Sequence, residues 1–270
     1  MAAKTVGSGI GHSGVSSDVV AAPAFRRRLR LGRLGLVLAA VLAASAVTSG
    51  PAGAAASYRL ELYRPGDFVS QTNEVQCIGA SMQMMLNIIG PTDDRTAARQ
   101  LELQDVARTY SPRRFGSQSV GPVRQRRGAS SSGWAAGLTM LAAGPYAVTS
   151  GATLEEAVRI AATAMRKTGK PAGLLVWQGS HAWVMSGFEA TGDPLDGRST
   201  ITHVYVLDPW YPRVSRSWGA SPRPHTRMTL AQLAQDFRPW RPHSTSANAN
   251  RFVVVFPYER RFVPGRGPLA

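Results

Sequence analysis

Gln71-Thr-Asn-Glu-Val-Gln-Cys-Ile-Gly-Ala-Ser-Met-Gln-Met-Met-Leu-Asn87 is the stretch that decides the fold of this 270-residue chain. It contains the only cysteine, Cys77, at the start of a predicted helix. From Ile78 onward, apolar side chains recur every three or four residues, which is typical of a largely buried helix. Gly90-Pro91 is expected to end it, because neither residue continues a helix well. The sequence thus predicts a buried helix with a thiol at its N-terminal end.

The start of this helix is a chemically special position for Cys77. Asn73 is the predicted N-cap, and Gln76 lies three residues later in the register of a capping box, so that Cys77 falls in the first turn. Free backbone N–H groups and the positive end of the helix dipole favour a thiolate there, and the thiolate is the nucleophilic form of cysteine. The alternative is that a lone cysteine among methionines is simply a small buried hydrophobic residue.

Gln71 favours the reactive interpretation. It lies six residues before Cys77, a spacing that allows its side-chain amide and the backbone N–H of Cys77 to donate to the same oxygen. Two such donors would form an oxyanion hole. A cysteine peptidase also needs a histidine and an orienting carboxylate or amide from elsewhere in the chain.

Size and composition favour a globular protein without a nucleic-acid partner. The chain is 44% hydrophobic, which is ample for a packed core. Lys and Arg total 31 against 16 Asp and Glu, but the excess is arginine spread through predicted loops. No zinc-spaced Cys/His set, RNA-binding signature or aromatic-interleaved basic repeat accompanies the charge. We therefore expect a monomer with a basic surface and with no metal or organic cofactor.

Residues 1–56 have the order of a secretory signal peptide with a long basic n-region. Arginines between Arg26 and Arg33 precede the apolar run 34–47, and small residues follow. The apolar run is shorter than the roughly 20 residues that a membrane-spanning helix needs. We therefore expect a secreted or extracytoplasmic protein, cleaved near Ala54 to Ala56, with no stable membrane insertion after cleavage.

Residues 57–260 are predicted to form one α+β domain, followed by a flexible C-terminal tail at 261–270. Helical periodicity comes first and strand patterns second, without an internal repeat. The stretch 111–132, rich in arginine and serine, is predicted to be a long surface loop and a candidate lid. The predicted helices cover 77–89, 96–110, 133–143, 153–169 and 229–237, and the predicted strands cover 58–69, 146–148, 172–177, 182–188, 201–207, 213–218 and 251–256.

Two of the predicted strands bring candidate side chains together. His181 opens the strand 182–188, and Asp208 closes the strand 201–207. We expect these strands to be adjacent and antiparallel, with a hairpin at 192–197 between them. The start of one strand and the end of the next then lie at the same edge of the sheet, where the two side chains can meet.

Three motifs resemble those of the papain-like cysteine peptidases. Within them, the resemblance is to the branch typified by the double-glycine-leader (bacteriocin-processing) peptidases and their secreted single-domain relatives. The motifs are Gln71 six residues before Cys77 with Ala80-Ser81 behind it, Gly179-Ser-His-Ala-Trp-Val-Met-Ser-Gly187, and Val206-Leu-Asp-Pro-Trp210. Together they span residues 66–212.

The resemblance implies a papain-like α+β fold, with the nucleophile helix of a helical subdomain packed on an antiparallel β-sheet. It implies that Cys77 is the nucleophile, His181 the general base and acid, Asp208 the orienter and Gln71 the oxyanion donor. The expected substrate is a peptide or protein, hydrolysed at a peptide or isopeptide bond through an acyl-enzyme.

Departures from the family pattern leave other interpretations open. Ile78-Gly79 stands where such peptidases commonly have Gly-Pro, which puts the substrate subsites in question, and Ala182 follows the histidine where a tryptophan is common. A catalytically inactive, exported binding or structural module on the same scaffold is the alternative function. Zinc binding by Cys77, His181 and Asp208 is a further alternative, although no spacing motif supports it. Trp177, Trp183 and Trp210 are expected in the core and cleft wall.

The N-terminal region generates the first testable prediction. Secreted material should begin near Ala55 to Ser57, because small residues there fit the cleavage site of a signal peptide. N-terminal sequencing of the exported protein measures this. An intact N-terminus on a membrane-bound product would instead identify the apolar run 34–47 as an anchor.

Overall fold

The structure is a computed structural model that describes residues 57–112, 128–240 and 247–259. The predicted signal peptide, most of the predicted lid at 113–127 and the predicted tail lie outside these residues. Within the described ranges, none of the helices combines the length and apolar character needed to cross a membrane.

The helix that begins at Cys77 has the predicted extent. It is α1 (Cys77–Ile89), and it is largely buried, as its periodicity indicates. It ends at Gly90, whose N–H donates to the Leu86 carbonyl. The predicted N-cap was wrong: Gln76 occupies this position without a side-chain cap. Asn73 Oδ1 instead accepts from the N–H of Val75 at 3.0 Å, because a short polar side chain readily closes a local turn on its own backbone.

The other helices begin at side-chain caps, which is why their starts are well defined. Thr96, Ser130, Thr153 and Thr229 each accept a hydrogen bond from the backbone N–H three residues later. The helix predicted at 133–143 spans Ser131–Met140 instead, and it starts earlier because Ser130 is its N-cap. These helices are α2 (Ala97–Thr109), α3 (Ser131–Met140), α4 (Leu154–Thr168) and α5 (Leu230–Asp236).

The described part of the chain contains the strands β1 (Tyr58–Glu61), β2 (Tyr146–Gly151), β3 (Ala172–Val176), β4 (His181–Ala190), β5 (Ile201–Leu207), β6 (Val214–Ser215), β7 (Gly219–Ala220), β8 (Thr226–Thr229) and β9 (Phe252–Pro257). Seven of them form an antiparallel sheet in the order β2-β9-β3-β4-β5-β8, with β1 paired to β4. A separate two-stranded sheet joins β6 and β7.

Several strand predictions needed correction. The strand predicted at 58–69 ends at Glu61, and the strand predicted at 213–218 is reduced to Val214–Ser215, which pairs with Gly219–Ala220. The predicted hairpin between the fourth and fifth strands is present and contains a 3-10 turn at Pro194–Asp196, whereas β8 was not predicted. The adjacent antiparallel order of β3, β4 and β5 is confirmed.

Helices cover both faces of the sheet. Successive side chains of β4 point to opposite faces, and both faces are apolar. Ala182 and Val184 pack with the apolar side chains of α1, α2 and α3. Trp183 and Phe188 pack on the other face with those of α4 and α5. The fold is therefore α+β, with the helix that begins at Cys77 packed on an antiparallel sheet, as predicted for a papain-like peptidase.

The contact between α1 and α2 leads to a stability prediction. A Cβ added at Gly79 would lie 2.6 Å from the Gln100 carbonyl oxygen and 2.9 Å from Gln104 Cβ. Gly79→Ala should therefore lower the free energy of unfolding by about 1 to 3 kcal/mol, although alanine favours helices. Urea unfolding measures this change.

Gly90→Ala at the other end of the same helix is the matched control. Its added Cβ would meet only the Leu86 carbonyl oxygen, at 3.9 Å, so stability should change little. Equal stabilities of the two variants would contradict the proposed steric role of Gly79.

Candidate active site

Cys77 is held at the accessible end of a buried helix. Its side chain is partly exposed, whereas residues 78–85 are buried. The buried side chain of Gln104 fixes this turn, because it accepts from the Gly79 N–H at 2.7 Å and donates to the Val75 carbonyl at 3.0 Å. The thiol is thus presented by a backbone that is anchored on both sides.

His181 lies beside Asp208, as the strand order predicted, and also beside the thiol. It is the first residue of β4 and only 4% exposed. One ring nitrogen, Nε2, lies 2.7 Å from Asp208 Oδ1, and the Cys77 thiol lies close enough to the ring to raise its pKa. Three side chains that are far apart in sequence therefore meet at one edge of the sheet.

The surroundings of His181 favour its protonated form. Burial lowers the pKa of the ring, but the interactions with the neighbouring Asp208 carboxylate and Cys77 sulfur outweigh this effect and raise the pKa to about 9. Near neutral pH the ring therefore carries a positive charge beside the sulfur atom. This arrangement can stabilise a thiolate and can later donate a proton to a leaving group.

Asp208 is positioned by the turn that follows β5. The residue is fully buried, and its Oδ1 accepts from the backbone N–H of Trp210 at 2.8 Å as well as contacting His181. A carboxylate held from two directions cannot rotate freely. It can therefore fix the orientation of the His181 ring.

Gln71 is tied to the same turn through its backbone. Its N–H donates to the Pro209 carbonyl at 2.7 Å, and the side chain of Gln100 holds both of its neighbours, at 2.8 and 3.0 Å. The buried Gln71 amide nitrogen donates to the Asn73 carbonyl at 2.6 Å. Because an amide nitrogen carries two hydrogens, a second donor remains for another acceptor.

Tryptophan side chains surround the His181 ring. Trp177 stacks on it with ring centroids 4.1 Å apart, and Trp210 meets it edge-on at 6.4 Å. These residues were predicted as core or cleft wall, but the direct contact of Trp177 with His181 was not. The Gln178-Gly179-Ser180 turn beside Trp177 was a sequence signal that could have suggested it.

A second histidine cluster was also missed. His225 lies between the rings of Tyr63 and Tyr205, 4.7 Å from each, and its two nitrogens contact Ser186 and Glu61 at 3.2 and 3.0 Å. The order serine, histidine and carboxylate resembles a catalytic arrangement. Ser186 is completely buried, however, so no substrate can reach its hydroxyl. This cluster joins strands rather than forming a second active site.

The zinc and subsite alternatives can be compared with the structure. In the described ranges, no group of three or more His, Cys, Asp or Glu side chains is arranged to hold a metal ion.

Ile78 is 3% exposed and packs in the core on the α1 face of the sheet. The core therefore accommodates most of the extra bulk of Ile78.

Comparisons with known proteins leave the function to be inferred from this geometry. No model of a known protein family matches the chain. No curated protein matches it. A solved structure described as UfSP from C. elegans is similar over 70% of this chain, with 17% sequence identity and a TM-score of 0.38. The matched region spans about a third of that protein, 32% of its chain.

The His181–Asp208 pair predicts how stability depends on pH. His181 binds its proton more tightly in the folded protein than in the unfolded chain, where its pKa is near the ordinary 6.5. The resulting stabilisation is complete below about pH 6.5 and is lost as the pH rises through about 9. Asp208→Asn should lower the pKa of His181, because the negative charge is removed.

Urea unfolding and imidazole NMR titration test this prediction. Asp208→Asn should reduce the free energy of unfolding by about 1 to 3 kcal/mol near pH 6, and the reduction should shrink toward about pH 10. Asp193→Asn, which alters the separate pair with Arg166 at 2.9 Å, is the control and should show no such trend. An unchanged His181 titration in Asp208→Asn would contradict the assignment.

Proposed function

We propose that this protein is a cysteine peptidase, or a closely related amide or isopeptide hydrolase. The observation that supports it is the placement of one buried imidazole, His181, which contacts the Asp208 carboxylate and lies close enough to the Cys77 thiol for the two groups to interact. A nucleophile, a proton-transferring base and an orienting group in this order are the components of nucleophilic acyl transfer.

The proposed reaction has two stages. The Cys77 thiolate attacks the carbonyl carbon, and the carbonyl oxygen becomes an oxyanion that receives hydrogen bonds from the Cys77 backbone N–H and the Gln71 amide. His181 donates its proton to the leaving amine, and a thioester acyl-enzyme remains. His181 then removes a proton from water, which attacks the thioester and releases the carboxylic acid. Asp208 keeps the imidazole oriented throughout.

The biological setting is proposed from the sequence. The basic, apolar and small-residue order of residues 1–56 supports export and removal of a signal peptide. The proposed mature protein acts outside the cytoplasm on a peptide or protein substrate as a monomer. The resemblance to the double-glycine-leader peptidases supports a peptide substrate.

Alkylation of Cys77 by iodoacetamide tests the proposed thiolate. Because Cys77 is the only cysteine, every label reports on this site. The folded protein should react at about pH 6 at least about tenfold faster than free cysteine, which is almost wholly protonated there. His181→Ala should remove most of this advantage, because it removes the paired cation. His203→Ala, a histidine outside this site, is the control and should react like wild type.

Acylation by an activated ester tests whether Cys77 can also carry out acyl transfer, which alkylation does not measure. With p-nitrophenyl acetate, the wild type should release about one nitrophenolate per chain in a burst and carry one acetyl group on Cys77. Gln71→Ala should slow acylation by about a hundredfold, because an oxyanion donor is lost. Its alkylation rate should stay unchanged, since alkylation forms no oxyanion.

The outcome also distinguishes the alternative function. If folded Cys77 reacts no faster than free cysteine, and His181→Ala does not change the rate, the peptidase proposal fails. An inactive, exported binding or structural module on this scaffold would then be the better explanation.

A further inference from the structure

The turn that precedes His181 has an unusual backbone. Trp177, Gln178 and Gly179 have φ angles of 54°, 59° and 88° in succession. Side chains of L-residues disfavour this left-handed region, so two consecutive non-glycine residues in it are strained. Such strain persists only where surrounding contacts hold the chain, and it is concentrated at functional sites.

The strained turn places the Trp177 ring against His181. The two rings are nearly parallel, with an interplanar angle of 21°. Trp218 stacks parallel to Trp177, with ring centroids 6.1 Å apart and an interplanar angle of 6°. The face of an indole attracts a cation, so this stack favours the imidazolium form of His181. It also prevents the imidazole from rotating away from Cys77.

A single carboxylate holds the Trp177 ring. The indole Nε1–H donates to Asp236 Oδ1 at 2.9 Å. Asp236 is the last residue of α5, and this helix is anchored by Leu233 and Phe237, which are both fully buried. The position of Asp236 is therefore fixed because the core holds the helix that carries it.

Asp236 occupies a position that is unfavourable for a carboxylate. It lies at the C-terminal end of a helix, where the dipole disfavours negative charge. Partial burial raises the pKa of Asp236, the Trp177 N–H lowers it, and the charge of Asp208 raises it again. The opposing charge of His181 compensates in part. A carboxylate in such an unfavourable electrostatic environment is expected where function requires it.

On the basis of the proposed function, we propose that Asp236 is a positioning residue for His181. Its hydrogen bond to Trp177 keeps the indole flat on the imidazole, which stays aligned between Cys77 and Asp208 in its protonated form. Asp236 acts only through Trp177 and does not touch the reacting atoms.

The pH profile of Cys77 alkylation by iodoacetamide tests this role. Asp236→Ala should move the acid limb of the profile to higher pH and reduce the rate near pH 6 by about three- to tenfold, because the imidazolium loses its fixed indole partner. Asp236→Asn retains an oxygen that can accept from Trp177, and it should keep most of the wild-type rate. A merely structural role would not produce this pH shift or this rescue.

A double-mutant cycle tests whether Asp236 acts through Trp177. In the Trp177→Phe background the indole N–H is absent, so adding Asp236→Ala should change the rate by less than about twofold. Trp183→Phe, at a buried tryptophan of β4, is the matched control and should leave the pH profile unchanged. Thermal unfolding of each variant establishes that the rates refer to folded protein.

The outcomes separate this inference from the proposed function. If the wild type shows the fast reaction and Asp236→Ala has the same profile, the positioning role is wrong while the peptidase proposal stands. An undiminished effect of Asp236→Ala in the Trp177→Phe background would also overturn it, because Asp236 would then act directly through its charge. If wild-type Cys77 reacts like free cysteine, the proposed function itself fails. If Asp236→Ala does not fold, Asp236→Leu replaces it as the variant without an acceptor for Trp177. Its pH profile of Cys77 alkylation is then compared with that of Asp236→Asn, which keeps the acceptor.

Discussion

The hydrogen bond between His181 and Asp208 is the interaction on which the site depends. Both side chains are almost completely buried, and a buried charge is tolerated only when it is paired and hydrogen-bonded. Their 2.7 Å contact therefore requires the start of β4 and the end of β5 to stay in register. Because β4 also pairs with β1 and β3, the site lies at the ends of strands in the interior of the sheet order rather than in an exposed loop.

The sequence was sufficient to locate those residues of the candidate site that lie at the boundary of an apolar helix or strand. Cys77 could be placed because an apolar helix follows it, and His181 and Asp208 because each lies at the boundary of an apolar strand. The antiparallel order of these strands then predicted their meeting. Gln71 was predicted only from its spacing to Cys77. The structure shows that its backbone N–H donates to the Pro209 carbonyl and that the Gln100 side chain hydrogen-bonds to both of its neighbours.

The parts that were missed depend on tertiary contacts. β8 is a short, polar strand that exists because β5 offers it a free edge, and its own residues carry little strand signal. The left-handed conformation of Trp177 is imposed by its neighbours in space. Asp236 follows it by 59 positions in the chain, and nothing in its local sequence relates it to a histidine. Asn73 was misplaced because its side chain can close a turn as readily as it can cap a helix.

The position of β9 has a consequence for how the domain assembles. This strand is the last one of the described chain, yet it lies inside the sheet, between β2 and β3. Until it is available, β2 has no pairing partner and β3 has one unpaired edge, so the sheet cannot close during synthesis of the earlier segments. For a chain that is exported as proposed, this order delays completion of the sheet until the segment that contains β9 has itself been exported.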